Sequence, residues 1–496
     1  MHNSSGADEP REGLPTGIDD GACVRPARDV AVQIVGRFAN LVLAVFITIF
    51  VVRSLGDERF GEWSSLLAVI ALTQALCDLG FKQVAVRRAA ADPAAEPAWI
   101  GALVKLRLVL SIVAFAISAA VVATLATSHE MRVAGLILSA TLLLSTLSAL
   151  DAIFQLRVRN DLTIAIVTVN SLLWGTAAVV VLGLDGDIVA LAVGFVVALA
   201  VSNVLLVILA LTHGRVRLRN VGDRWPEMLR VGIPIAIGSV LVLSYGRIDQ
   251  ILVFQLAGAE EAGLYGAVYR MLDQAQFVPI SVATTVLPLL AAAYRNDQVR
   301  FRVVLQSAAA MLIAFALGAF VFALTYAESF VVLLFGEEFE PAGEILPVLI
   351  AALVPISLGY LLGVVVIVTG RQRAFVLVAC AGLVFNVVAN LLLIPRWGFV
   401  AAAWVTLLTE VFVLALVWRA VRSYITTSLD LGRITRIAYA GAATLALLIG
   451  LRLLSVPVAA AILVTAVAYP AALLAFKASS TTELRQLLRA GGRAAT

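Results

Sequence analysis

The sequence predicts an all-α integral membrane protein of about fourteen transmembrane helices. Of its 496 residues, 61% are hydrophobic and only 14% are charged. Soluble domains hold roughly 45–50% and about 25% respectively. One water-soluble core cannot hide that much apolar surface, because single cores stop growing near ~250–300 residues. The apolar residues also come in successive runs near the ~20 residues that cross about 30 Å of hydrocarbon. Finally, the basic residues fall in the connections and favour alternate ones, as a chain threaded back and forth through a bilayer requires.

Residues 1–27 are polar, with Gly, Pro and Asp and no apolar stretch of the signal-peptide kind. They read as a disordered cytoplasmic tail. Spans are expected at about 29–52, 63–81, 104–126, 133–155, 162–183 and 188–211, which make a first six-helix lobe over 28–212. A cytoplasmic linker covers 213–229. A second lobe over 230–424 holds spans at about 230–256, 264–290, 303–325, 345–369, 374–394 and 399–418. The apolar run Phe330–Phe335 reads as a short re-entrant or interfacial piece. Two further spans, 435–454 and 457–476, occupy 425–478, and a cytoplasmic tail covers 479–496. In that tail Ser480-Thr-Thr-Glu483 has the form of a capping box opening an interfacial amphipathic helix. Pro234, Pro279, Pro347 and Pro355 fall within spans and are expected to bend them.

Orientation follows from Lys and Arg. With the N-terminus in the cytoplasm, only Arg53, Arg59, Arg132, Arg396 and Arg452 of the 36 basic residues fall in outer loops. Arg37, Arg247 and Arg270 lie inside spans, and the other 28 are cytoplasmic. Such a split supports an even number of spans with both termini inside. The loop around Glu337-Glu338-Phe339-Glu340 is acidic, with no Lys or Arg.

An internal repeat is visible. Gly56-Asp-Glu-Arg-Phe-Gly61-Glu-Trp63 follows the first span, and Gly258-Ala-Glu-Glu-Ala-Gly263-Leu-Tyr265 follows the seventh, at a constant offset of 202. A weaker echo pairs Gly186-Asp-Ile-Val-Ala190 with Gly398-Phe-Val-Ala-Ala402. The first twelve spans therefore read as two parallel copies of six, an arrangement that places transporter sites between the halves.

These turns, together with Arg247-Ile-Asp-Gln-Ile-Leu, Gly263-Leu-Tyr265-Gly-Ala-Val-Tyr269-Arg270 and Thr285-Val-Leu-Pro288, resemble the oligosaccharide and polysaccharide flippases. That family exports O-antigen and exopolysaccharide units, and shares a superfamily with lipid II flippases and multidrug extrusion pumps. Asp78-Leu-Gly80, Phe335-Gly336, Thr369-Gly370-Arg371, Asn386-Val-Val-Ala-Asn390-Leu and Gly398-Phe-Val-Ala-Ala-Ala403 add to the likeness, which covers roughly residues 28–424. The resemblance implies two six-helix lobes in a V, alternating access and a polyprenyl-pyrophosphate-linked oligosaccharide as cargo. It also implies a bacterial inner membrane and partners in polysaccharide assembly.

Ionisable residues within spans are costly, and by default they face a protein interior or a wet cavity. Arg37, with Asn40 on the same face, lies about a third of the way into the first span from the cytoplasm and could meet a pyrophosphate on entry. The plainer reading is a snorkelling Arg or a partner for Asp151. Arg247, Asp249, Arg270 and Asp273 fall at similar depth, because the chain reverses between the seventh and eighth spans. They line the cavity, gate it, or form neutral structural pairs. Asn386 and Asn390 sit at i,i+4, as helix glue or as sugar contacts. Glu410, near the middle of the twelfth span, is a candidate for proton or sodium coupling, with Asp249 and Asp273 beside it in that role. Asp78 and Asp151 read as caps or as partners of Lys82 or Arg157.

Cys23, Cys77 and Cys380, like His2, His129 and His213, are scattered without ligand or disulfide spacing. No cofactor or metal is expected, and the loop positions of the basic residues speak against nucleic acid. No phosphate-binding loop of the G-x-x-x-x-G-K-[S/T] type occurs, so the expected driving force is an ion gradient, the membrane potential or downstream consumption. Lipid II transport and small-molecule export stay open as alternatives. A membrane-embedded saccharide polymerase fits poorly, because most outer loops are short.

Overall fold

The computed structural model describes residues 20–77, 80–157, 159–219, 221–424 and 430–478. Sixteen α-helices follow one another among them, with no strand. They are α1 (Asp20–Gln74), α2 (Phe81–Ala91), α3 (Glu96–Leu125), α4 (His129–Leu144), α5 (Asp151–Leu156), α6 (Asn160–Gly183), α7 (Ile188–His213) and α8 (Trp225–Tyr245). Then come α9 (Ile248–Ala257), α10 (Ala259–Ala275), α11 (Phe277–Asn296), α12 (Gln298–Phe335), α13 (Leu346–Val368), α14 (Gln372–Val421), α15 (Leu431–Leu453) and α16 (Val458–Ala475). Helices dominate because hydrocarbon offers the backbone no other hydrogen-bond partner.

Among the described residues, twelve helices are long and apolar enough to cross a membrane. Two of them, Gly36–Gln74 with 39 residues and Arg373–Val421 with 49, far exceed one bilayer crossing at about 1.5 Å per residue. Each contains a glycine with positive φ, Gly56 (φ 74°, ψ 179°) and Gly398 (φ 55°, ψ −143°), a conformation open to glycine at little cost. These breaks fall between the expected first and second spans and between the eleventh and twelfth. Among the described residues there are thus twelve such helices, two of them broken at a glycine, rather than fourteen separate ones.

Other details depart from expectation. Residues 20–27 are helical and continuous with the first span, because extending an existing helix costs little compared with starting one. Residues 1–19, the Asp78-Leu79 pair and the tail with its capping box lie outside the described residues. Phe330–Phe335 is the last part of α12, beyond a kink at Tyr326 (φ −126°, ψ 18°), rather than a separate re-entrant piece. Pro347 opens α13 instead of interrupting it, where its missing N–H has no helical role. The seventh span is discontinuous, its helix stopping at Gly246–Arg247 and resuming as α9.

The packing joins the two halves most extensively at one end. At the end marked by the turns at Gly56, Gly258, Gly336 and Gly398, one core is shared by both halves, with Val52, Trp63 and Leu66 packed together with Tyr265, Val268, Phe339 and Leu353. At the opposite end the halves keep separate cores. One is built on Phe81, Trp99, Ile153 and Phe154 and joined by Met228 from the start of α8. The other is built on Leu290, Leu312, Leu361 and Val365. Helices α15 and α16 dock on α12, where the Tyr469 hydroxyl donates to the Ala314 carbonyl at 2.7 Å and Arg452 donates to the Thr325 carbonyl at 2.5 Å.

The repeat explains the joint. A Cβ on Gly61 would lie 1.8 Å from the carbonyl oxygen of Ala259, and a Cβ on Gly263 would lie 1.8 Å from that of Asp57. Gly61 and Asp57 are the repeat counterparts of Gly263 and Ala259, so the two turns grip each other reciprocally. Small residues that let backbones touch are the usual device for helix association in lipid, where burial alone gives little drive.

Candidate functional site

Directly below this joint, between the two halves, lies a cavity of about 360 Å³. The first half contributes Phe60, Trp63, Ser64 and Gln74 from α1, Trp174 from α6 and Phe195 from α7. Trp63 stacks on Trp174 with ring centroids 5.8 Å apart, and Phe195 meets Trp174 edge-on at 4.9 Å. The result is one aromatic wall. Sequence reasoning missed it, although Trp63 belonged to the repeat and Trp174 and Phe195 were visible as aromatics in mid-span.

The second half supplies the polar wall, with Arg247, Asp249, Gln250, Tyr269 and Arg270. The break between α8 and α9 releases Arg247 from regular helix (φ −134°, ψ −20°). Its guanidinium pairs with Asp273 at 2.8 Å and lies 5.7 Å from the centre of the Tyr269 ring. The depth expected for Arg247 and Asp273 is thus realised as a contact. Asp273 turns to Arg247 rather than to Arg270 on its own helix. Arg270 lines the cavity half-buried and makes no hydrogen bond or ion pair among the described residues. Of the two guanidiniums on the cavity wall it is therefore the more available to an anion.

Asp249 lies on the cavity wall but is only 1% exposed. It accepts from the Tyr265 hydroxyl at 2.5 Å and from the Gln250 N–H at 2.8 Å, with the Thr406 hydroxyl 3.2 Å away. Gln250 donates to Ser64 of the first half at 2.9 Å, which ties the cavity roof across the joint. Glu410 does not line the cavity. It lies half-buried near Asp249, Tyr245 and Tyr360 at electrostatic range.

Four candidates sit elsewhere. Arg37 is exposed on α1 and outside the cavity lining. Asn40 is held by Thr168 of α6 at 2.8 Å and by the Gly36 carbonyl at 2.9 Å, so it ties helices together. Asn390 donates to Asn386 at 3.1 Å and Asn386 reaches Thr409 at 3.4 Å, both buried between the two parts of α14. In a helix apolar all round, the sequence does not say which side faces protein, and one wrong rotation removes a residue from the cavity. Asp151, the alternative partner for Arg37, pairs with Lys82 at 2.8 Å beside a second cavity inside the first half.

Residues 27–294, more than half the chain, match the polysaccharide biosynthesis protein family. A capsular polysaccharide biosynthesis protein, CapF of Staphylococcus aureus, is 24% identical over 181 residues, 36% of this chain and 46% of that protein. The match thus spans about half the length of that relative. Among solved structures, a lipid II flippase, MurJ in an inward closed conformation, superposes with a TM-score of 0.72 at 13% identity, over 92% of this chain and all of that one. An inward-facing multidrug resistance transporter of the MATE family gives 0.62 at 13% identity, over 78% of this chain and 94% of that one. At such identities these two show the fold alone. The chain belongs to the polysaccharide biosynthesis protein family, and its apolar helices of membrane-crossing length make it a multi-pass membrane protein.

Proposed function

We propose that this protein moves a polyprenyl-pyrophosphate-linked oligosaccharide from the cytoplasmic to the outer leaflet of a bacterial inner membrane by alternating access. The observation that carries the reading is the two-sided cavity, aromatic on one half of the molecule and cationic on the other. A sugar headgroup crossing bare hydrocarbon would lose several kcal/mol for each unsatisfied hydroxyl. A hydrated passage removes that cost, and the prenyl tail stays in lipid. Arg270 and Arg247 suit a pyrophosphate, because a guanidinium presents its donors as a planar fork. The ring of Trp174, backed by the buried Trp63, suits the apolar face of a sugar.

The cavity is near the lower end of the roughly 300–1,000 Å³ range of small-ligand pockets. It accommodates the pyrophosphate and the sugar next to it, and a longer glycan requires the halves to part. In this reading fourteen crossings leave both termini in the cytoplasm, and the glycine-turn joint is the outer closure. Asp249, Asp273 and Glu410 are the candidates for coupling to a proton or sodium gradient.

The test is reconstitution into liposomes with a short prenyl-pyrophosphate-linked glycan, scored by exposure of the sugar to an impermeant glycosidase. Flipping faster than in protein-free vesicles is expected. Rates equal to protein-free vesicles, under an imposed ion gradient as well as without one, would overturn the assignment.

A further inference from the structure

The linker between the halves passes across the start of α3 as a strap. Gly214 leaves α7 in an extended conformation (φ −158°, ψ 170°). The Arg217 N–H then donates to the Pro97 carbonyl at 2.8 Å. The Arg217 carbonyl sits so close to Gly101 that a Cβ there would lie 1.8 Å from it. Beyond the strap, Arg224 lies over the Trp99 ring at 5.5 Å and Trp225 donates to the Ala102 carbonyl at 3.2 Å. The strap is thus pinned to α3 at Arg217 and again at Arg224 and Trp225.

Its side chains are a different matter. Arg215, Arg217 and Arg219 are exposed, and none of their guanidiniums makes a hydrogen bond or ion pair among the described residues. Three carboxylates of the neighbouring elements are already engaged. Glu96 is held at 2.8 Å by Arg157, Asp223 lies 3.1 Å from Arg224, and Glu227 pairs with Arg88. Lys105, also exposed, follows Gly101 by four residues and so stands on the same side of α3, about 6 Å further along it. Past it the helix shows Leu108, Val109 and Ile112 outward, as lipid-facing spans do. A row of three guanidiniums therefore borders the apolar belt, with an ammonium one turn deeper.

We propose that this strap is a docking site for the phosphates of anionic phospholipids in the leaflet it faces, distinct from the inter-half cavity. Headgroup phosphates accept from the guanidinium forks, Lys105 reaches the glycerol-side oxygens, and the acyl chains lie along α3. The strap joins the two halves, so lipid bound there also holds the hinge in place.

Native mass spectrometry of the whole purified protein tests this, with cardiolipin, phosphatidylglycerol and phosphatidylcholine as probes and sodium pyrophosphate as competitor. The wild type should retain the anionic lipids well above phosphatidylcholine. R215Q/R217Q/R219Q should lose about 100-fold in cardiolipin affinity while keeping its melting temperature, and the triple lysine variant should keep most of the binding. Equal retention of anionic and neutral lipid would overturn the proposal. So would undiminished binding by the folded glutamine variant, or displacement of cardiolipin by equimolar pyrophosphate, which would mark a site for free anions.

Discussion

Replacing Gly61 or Gly263 with alanine should open the joint between the halves. Each new Cβ would sit 1.8 Å from a backbone carbonyl oxygen, where real contacts are essentially never under 3.0 Å. The obstacle is main chain, so no rotamer change relieves it. The halves must separate locally by about 1.2 Å or more, the difference between those two distances. That movement would stretch the Gln250–Ser64 hydrogen bond from 2.9 Å past its useful range. Overpacking costs about 1–3 kcal/mol, and the hydrogen bond contributes about 1 kcal/mol more. A penalty of about 2–4 kcal/mol borne by the closed form alone shifts its population by roughly 30- to 1,000-fold, at 1.4 kcal/mol per tenfold. Spin labels at Glu58 and Glu260, exposed counterparts in the two turns, would report it as a longer distance in electron–electron resonance. Gly266→Ala is the internal control, because its new Cβ meets the movable side chains of Ser64 and Gln250 at 2.9 and 3.0 Å. It should shift the distribution far less. A folded Gly61→Ala protein with an unchanged distance would refute the idea that these glycines set the closure.

Further outcomes follow from the cavity and its supports. Arg270→Ala should cut glycan flipping by about 10- to 100-fold, in line with the roughly 1.5–3 kcal/mol of a hydrogen bond to a charged group. Arg270→Lys should lose less, and equal rates in both would exclude a pyrophosphate contact. Trp174→Ala should raise the KM for the glycan several-fold while Trp174→Phe stays near wild type, as measured in the liposome assay. Arg247→Ala should destabilise the protein by stranding Asp273, and adding Asp273→Asn should recover much of the loss, read as the melting temperature of each variant in one detergent. Arg157→Ala removes a two-point contact with buried Glu96. Arg157 itself is 42% exposed, so the expected loss is about 1 kcal/mol.

How much of this was legible in the sequence depends on what each residue's signal was. The joint was readable, because Gly56, Gly61, Gly258 and Gly263 recur at one offset, and a repeat in sequence becomes a reciprocal contact in space. Arg247 and Asp273 were readable in depth, since a chain that turns back after a known number of residues returns to the same level. What could not be read was rotation. A soluble helix announces its buried side by an apolar stripe, but in lipid both sides of a span are apolar. Trp174 and Phe195 therefore looked like any other mid-span aromatics. Arg37 and Asn40 looked like a cavity pair, although the structure leaves one exposed outside the cavity lining and spends the other on Thr168.

The two walls of the cavity also differ in how they are held, and this bears on the transport cycle. The aromatic wall is fixed by ring-on-ring packing within the first half. The charged wall rests on the broken seventh helix, where the Tyr269 hydroxyl donates to the Gly246 carbonyl at 2.8 Å and Asp273 holds Arg247. A pyrophosphate drawn to Arg270 would also compete with Asp273 for Arg247, and so loosen a support that lies one helical segment below the glycine joint. Cargo binding and opening would then be linked through Arg247. If so, Asp273→Asn should leave the joint easier to open without cargo, and the resonance distance between the two turns should lengthen in the empty protein. If the distance lengthens only when cargo is added, as expected of the wild type, Arg247 binds but does not transmit.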